Sequence, residues 1–166
     1  MLARTKAALL AAVLLVSLAG VSPAQQAEGE KKPPAVVVEE VTVEPAAPGP
    51  DTLCRLTVKL KNGGSQIASL FAFAVEINGH PLPVYVEELF AFPVDAGSAA
   101  DLRLYNFWST ETGRPAPADG KLTVAVRLEE AQWMEITTED KVEVWTPTGA
   151  VEGLPSAASV TLKMKK

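Results

Sequence analysis

The chain has 166 residues, 15 of them basic and 20 acidic, with one cysteine and one histidine. A net charge of −5 with no basic stripe argues against nucleic acid, whose phosphates demand clustered Lys and Arg. One Cys and one His are too few for a transition-metal site, and a lone thiol forms no intrachain disulfide.

The first 24 residues read as a secretory signal. Arg4 and Lys6 give a positive start, Ala7 to Gly20 is almost wholly apolar, and Ser22-Pro23-Ala24 offers small residues for cleavage after Ala24. The apolar run of 14 residues falls short of the ~20 that span a bilayer, and nothing downstream is apolar enough to cross one. Cleavage removes Arg4 and Lys6, so 13 basic residues face 20 acidic ones, a net charge near −7. The expected location is exported, in the periplasm or outside the cell. Residues 25–34, "QQAEGEKKPP", are polar and end in proline, which reads as a flexible linker. Residues 35–166 are of a size for one domain.

From there the chain alternates apolar and polar residues in strand-length runs. "AVVVEEVTVE" (35–44) is the first. In "LCRLTVKLK" (53–61), Cys54, Leu56, Val58 and Leu60 face one way, and Arg55, Thr57, Lys59 and Lys61 the other. Cys54 is therefore expected in the core as a small hydrophobe. "SLFAFAVEIN" (69–78) puts Phe71, Phe73, Val75 and Ile77 on one face. "LPVYVEEL" (82–89) is broken by proline and reads as an edge. "SAADLRLYNF" (98–107) turns Leu102 and Leu104 inward, and "KLTVAVRLE" (121–129) does so with Leu122, Val124, Val126 and Leu128. "KVEVWT" (141–146) and "SVTLKMK" (159–165) close the series, and the "KMKK" end reads as a frayed solubilising tail. Asn78-Gly79, Asp95-Ala96-Gly97, Asp119-Gly120 and Thr148-Gly149 mark turns.

No amphipathic helix of useful length appears. Short strands spaced by turns predict an all-β fold, an antiparallel sandwich of about seven to eight strands. Between "LTVKLK" and the next clean alternation lies Asn62 to Ala68. A crossing from one sheet to the facing one suits that length better than a wide hairpin does. Gly63 and Gly64 would permit positive φ there.

The segments "LTVKLKNGGSQIASLFAFAVEINGHPL", "LFAFPVDAGSAADLRL" and "DGKLTVAVRLEEA" resemble the CARDB family, the cell-adhesion-related domain found in bacteria. The likeness rests on Asn62 and Gly64 at a strand end, Ala68 before the next strand, the Ala96-Gly97-Ser98 turn and Gly120-Lys121-Leu122-Thr123. It covers residues 53 to 130. It implies an immunoglobulin-like sandwich that binds or spaces things at the cell surface, and it carries no catalytic residues.

Nor do the residues spell out catalysis. His80 sits in "NGHPL", a turn, with no marked nucleophile and acid to complete a triad. The acidic runs "EITTED" (135–140), Glu87-Glu88 and Glu129-Glu130 lack the spacing of a calcium loop. The chain is expected to be no enzyme and to use no cofactor or metal.

Aromatic residues are the better candidates. Trp133 and Met134 fall in "EEAQWMEITTE", which reads as a loop at one end of the sandwich, where variable domains carry binding loops. The competing reading is that Trp133 folds back and caps the core. In Phe107-Trp108 one ring should pack and the other sit at the rim. Trp145 alternates with Glu143 and should lie off the buried face. Phe90 and Phe92 are expected to cover the core.

Two functions follow from this. The first is a non-catalytic binding or assembly module of the bacterial envelope, meeting another envelope or surface protein through end loops or a sheet edge. The alternative is a carbohydrate-binding module, with Trp133, Trp145 or Trp108 stacking on a polysaccharide. The leader itself is testable: the exported protein should begin at Gln25, and its intact mass should lack residues 1–24.

Overall fold

The computed structural model describes residues 33–82, 92–110 and 119–165. The expected leader, most of the linker, Phe90, nearly all of the proline-broken strand and the final lysine lie outside them. The described residues form eight strands: β1 (Val36–Glu44), β2 (Leu53–Asn62), β3 (Ile67–Ile77), β4 (His80–Leu82), β5 (Ala99–Trp108), β6 (Lys121–Glu139), β7 (Val142–Ala150) and β8 (Ser156–Lys163). Among the described residues no helix is long and apolar enough to cross a membrane.

Every pairing is antiparallel. One sheet runs β1-β2-β5; the other runs β4-β3-β6, with β7 and β8 both paired to β6. The first, second and fifth strands thus face the third, sixth and last, the connectivity of an immunoglobulin-like sandwich. The inward residues are those the alternation marks. Cys54, Leu56, Val58 and Leu60 from β2, Phe71, Val75 and Ile77 from β3, and Leu122, Val124, Val126 and Leu128 from β6 are buried in one cluster. Each such side chain stabilises the fold by ~1.5–3 kcal/mol through removal from water. Phe107 is buried while Trp108 is half exposed.

Strand β1 keeps its valines inward by a bulge. Val38 pairs with Leu60 and Glu40 with Lys59, so Glu39 is the extra residue. The inward set becomes Val36, Val38, Val41 and Val43. On the open side of β1, the Val38 N–H donates to Ser156 Oγ of β8 at 3.0 Å, which stitches the two sheets together along that edge.

The chain does cross between sheets after β2. The connection is Gly63–Gln66, shorter than the alternation implies, because β3 begins at Ile67 with an irregular register between Ser69 and Ala72. Leu70 there has φ 53°, which puts Ala68 and Ser69 both out of solvent and masks the strand's start. Gly63 and Gly64 are not among the positive-φ residues. The role of Gly64 is space, since a Cβ there would clash with the Trp133 ring.

The crossing is held by a fully buried amide. Asn62 Nδ2 donates to the carbonyls of Gln66 at 2.7 Å and Val94 at 2.9 Å, and its Oδ1 accepts from Gly64 N–H at 2.9 Å. The backbone joins in: Asn62 N–H donates to Ser98 O, Gly63 N–H to Ala35 O, and Ala68 and Val94 exchange both bonds. At the opposite end the basic terminus is tied down. Met164 is buried, its N–H donates to Gly120 O, and Lys165 N–H donates to Pro48 O. These bonds and the burial of one apolar side chain replace the expected frayed tail. Phe92 is 41 % exposed and does not cover the core.

Asn62→Ala should cost roughly 1–3 kcal/mol, because the Gln66 carbonyl and the Gly64 N–H lose their partner while Val94 O keeps only the Ala68 N–H. Urea unfolding followed by circular dichroism measures it. Asn62→Asp should lose stability as pH rises. A buried carboxyl facing two carbonyls has its folded pKa raised, so the variant is most stable in acid.

Candidate functional site

The longest strand builds the site. β6 runs 19 residues, through the segment that reads as a loop from sequence. The alternation breaks because Glu129 and Glu130 both stay outside before Ala131 returns inward, where the register with β3 shifts. Trp133 and Met134 are therefore strand residues. Met134 is buried at 7 % exposure and offers little surface. Trp133 is partly buried and packs on the core, so the capping reading of this ring holds.

Trp133 lies over the sheet crossing. A Cβ built on Gly64 would meet Trp133 Cη2 at 2.5 Å, so only glycine lets the ring lie this close. The ring also lines a half-open cleft of about 280 Å³ with Pro33, Ala35, Ala150 and Glu152. The cleft thus lies between the lead into β1 and the end of β7.

Beyond Met134, β6 leaves the body. Its pairing with β3 ends at Ile67–Met134, and among the described residues Glu135 to Glu139 pair only with β7. The two strands form an arm closed by Asp140 (φ 49°) and Lys141 (φ 67°), the two left-handed positions of a type I′ turn. All of β7 except Val144 is exposed; Val142 is 63 % and Trp145 38 % exposed. Trp145 pairs with Ile136 across the arm, so the two side chains share a face.

The remaining candidates lie elsewhere. Trp108 pairs with Leu53 at the far end of the other sheet, on β5. His80 is the first residue of β4, after the Asn78-Gly79 turn, both of whose residues have positive φ. Among the described residues no three His, Cys, Asp or Glu side chains gather to hold a metal. The outer face of the β1-β2-β5 sheet is charged and holds two ion pairs: Lys59 meets Glu39 at 3.0 Å and Arg55 meets Glu44 at 3.3 Å. The hydrogen bond and charge of Lys59 hold the Glu39 carboxyl below its ordinary range. Cys54 is buried and free, and burial pushes its thiol up. It is inert packing.

Sequence reasoning placed Trp133 near an end of the sandwich but missed the arm and the cleft. The type I′ turn carries no glycine, and the cleft depends on Pro33, Ala35 and Glu152, which no motif marks. Gly64→Ala should push the Trp133 ring toward the cleft and redden its fluorescence. Reversal of the accompanying stability loss in Gly64→Ala/Trp133→Leu, about 1–3 kcal/mol, checks that the clash is the cause. No protein-family model matches the chain, and no curated protein matches it.

Proposed function

We propose that this chain is a non-catalytic exported module of the bacterial cell envelope that binds another protein through the β6–β7 arm. The observation that supports this reading is the arm itself. A two-stranded hairpin is at best marginally stable in water. This one carries Ile136, Val142, Val144 and Trp145 away from the core, and it exposes Val142 and Trp145. Unshielded strand edges with exposed apolar side chains serve as pairing surfaces. The fold suits such a role, because a rigid sandwich positions one open-edged element, much as other sandwiches present binding loops. A CARDB-like role in adhesion or spacing at the cell surface is compatible with this arrangement and forms part of the proposal.

Stacking on a polysaccharide has less support. That chemistry wants a row of exposed rings. Trp133 is partly buried against the core, Trp145 sits on the arm, and Trp108 lies at the far end of the other sheet.

Residues Ile136 to Trp145 can be replaced by an Asn-Gly turn joining Glu135 to Thr146. Because the arm adds little to the core, the melting temperature should move by only a few degrees. The protein captured from envelope extract by the intact chain should be lost by the shortened one and kept by Trp108→Ala. Equal capture by the shortened chain would refute the reading.

A further inference from the structure

Among the described residues the arm has an open edge and an unbalanced charge, and the two together specify a partner. Strand β7 pairs with β6 along one side; among the described residues no strand pairs with its other side, and β8 pairs lower down on β6. Edges are normally blunted by lysines, prolines or bulges. Val142-Glu143-Val144-Trp145-Thr146 has none of these and is rich in β-branched and aromatic residues. Pro147 then removes an N–H, which limits the continuous backbone pairing of an added strand to those five residues.

Charge sets the sign of the partner. Glu135, Glu139, Asp140 and Glu143 stand on the arm against Lys141 alone, all exposed. Among the described residues none of these carboxylates has a Lys or Arg nitrogen within 4.0 Å. A second copy fits poorly, since it would bring the same acidic strand. Its basic end is held by the Met164 and Lys165 backbone bonds. The edge also runs into the cleft: Ala150, the last residue of β7, lines it with Trp133 and Glu152. An indole and a carboxylate in one cleft are the pairing that accepts a Lys or Arg side chain.

We propose that β7 takes an added strand from a partner protein. The strand is an extended basic segment, and where it continues beyond Pro147 one of its cationic side chains enters the Trp133–Glu152 cleft. Backbone bonds along Val142–Thr146 supply the register, and the unpaired carboxylates select the charge. This rests on the reading of the arm as the binding element and adds the partner's chemistry.

The test is a titration of the isotope-labelled exported protein with a short blocked peptide alternating lysine and valine, followed by amide NMR shifts. Two control peptides accompany it: one with glutamate for lysine, and one with every backbone nitrogen methylated. Binding by the first peptide alone is expected, with shifts confined to Val142–Thr146 and the Trp133 indole. Glu139→Gln with Glu143→Gln should weaken it about five-fold, the scale of two exposed ion pairs. Glu152→Gln should reduce the Trp133 shift selectively. Equal binding of the methylated peptide would overturn strand addition, and equal binding of the glutamate peptide would overturn the charge selection. Shifts elsewhere, no shifts at millimolar peptide, or a dimer abolished by shortening the arm would each overturn the proposal. If the shortened arm still loses its captured protein in those cases, the binding role stands and only this partner chemistry falls.

Discussion

One buried side-chain amide organises the end of this sandwich. Asn62 is wholly out of solvent, and both of its N–H donors and its carbonyl are used. A buried amide that is fully satisfied specifies geometry in a way apolar packing does not, because each partner has one acceptable place. Here the partners are the far side of the crossing, the Val94 segment and the Gly64 backbone. Fixing Gly64 fixes the surface on which Trp133 lies, and with it the base of the arm. The adjacent Gly63 N–H draws in Ala35 at 2.7 Å, which sets the other wall of the cleft. An apolar residue of similar size would fill the space, leave the Gln66 carbonyl and the Gly64 N–H without this partner, and leave Val94 O with the Ala68 N–H alone.

Strand β6 divides its labour along its length. Leu122, Val124, Val126 and Leu128 are buried, with β8 paired along one side of this stretch and β3 along the other from Val124 on. Glu135 to Glu139 have β7 alone and almost no burial. Local stability follows buried apolar contact, so one continuous strand passes from a rigid core to an element that opens easily. The junction is the stretch from Ala131 to Met134, where buried residues return after two outward glutamates. Through it the arm inherits its direction from the core and little of its stability.

The core was legible in the sequence wherever alternation was clean. Strand β2, the Leu102 to Leu104 part of β5 and the first half of β6 bury the very residues their period of two selects. The sheet crossing after β2 was legible too, since a hairpin would have resumed alternation at once. What escaped was hidden by local irregularity. The left-handed Leu70 disguised the start of β3, and paired outward glutamates made the middle of β6 look like a loop. A type I′ turn built from Asp140-Lys141 lacks the Asn-Gly or Asp-Gly signature that betrays such hairpins, and Asn78-Gly79 shows what that signature looks like when present. The candidate site was legible only as a tryptophan at one end. Its cleft comes from residues 117 and more positions apart in sequence, Pro33 with Ala150 and Glu152, which only the closed fold brings together.

The acidic character of the arm answers a problem that its geometry creates. An open strand of valine, tryptophan and threonine is a template for pairing with identical strands, and hence for aggregation. Lysines would protect it equally well against self-association. Glutamates do so while reserving the edge for a strand of opposite sign, so the same charges that keep copies apart admit a partner. The basic residues of the domain body support this division. Lys59 and Arg55 are engaged with Glu39 and Glu44 on the other sheet, and Lys165 has its backbone fixed at the far end. Among the described residues the carboxylates of the arm have no Lys or Arg nitrogen within 4.0 Å, so a basic strand arriving at β7 finds them unpaired.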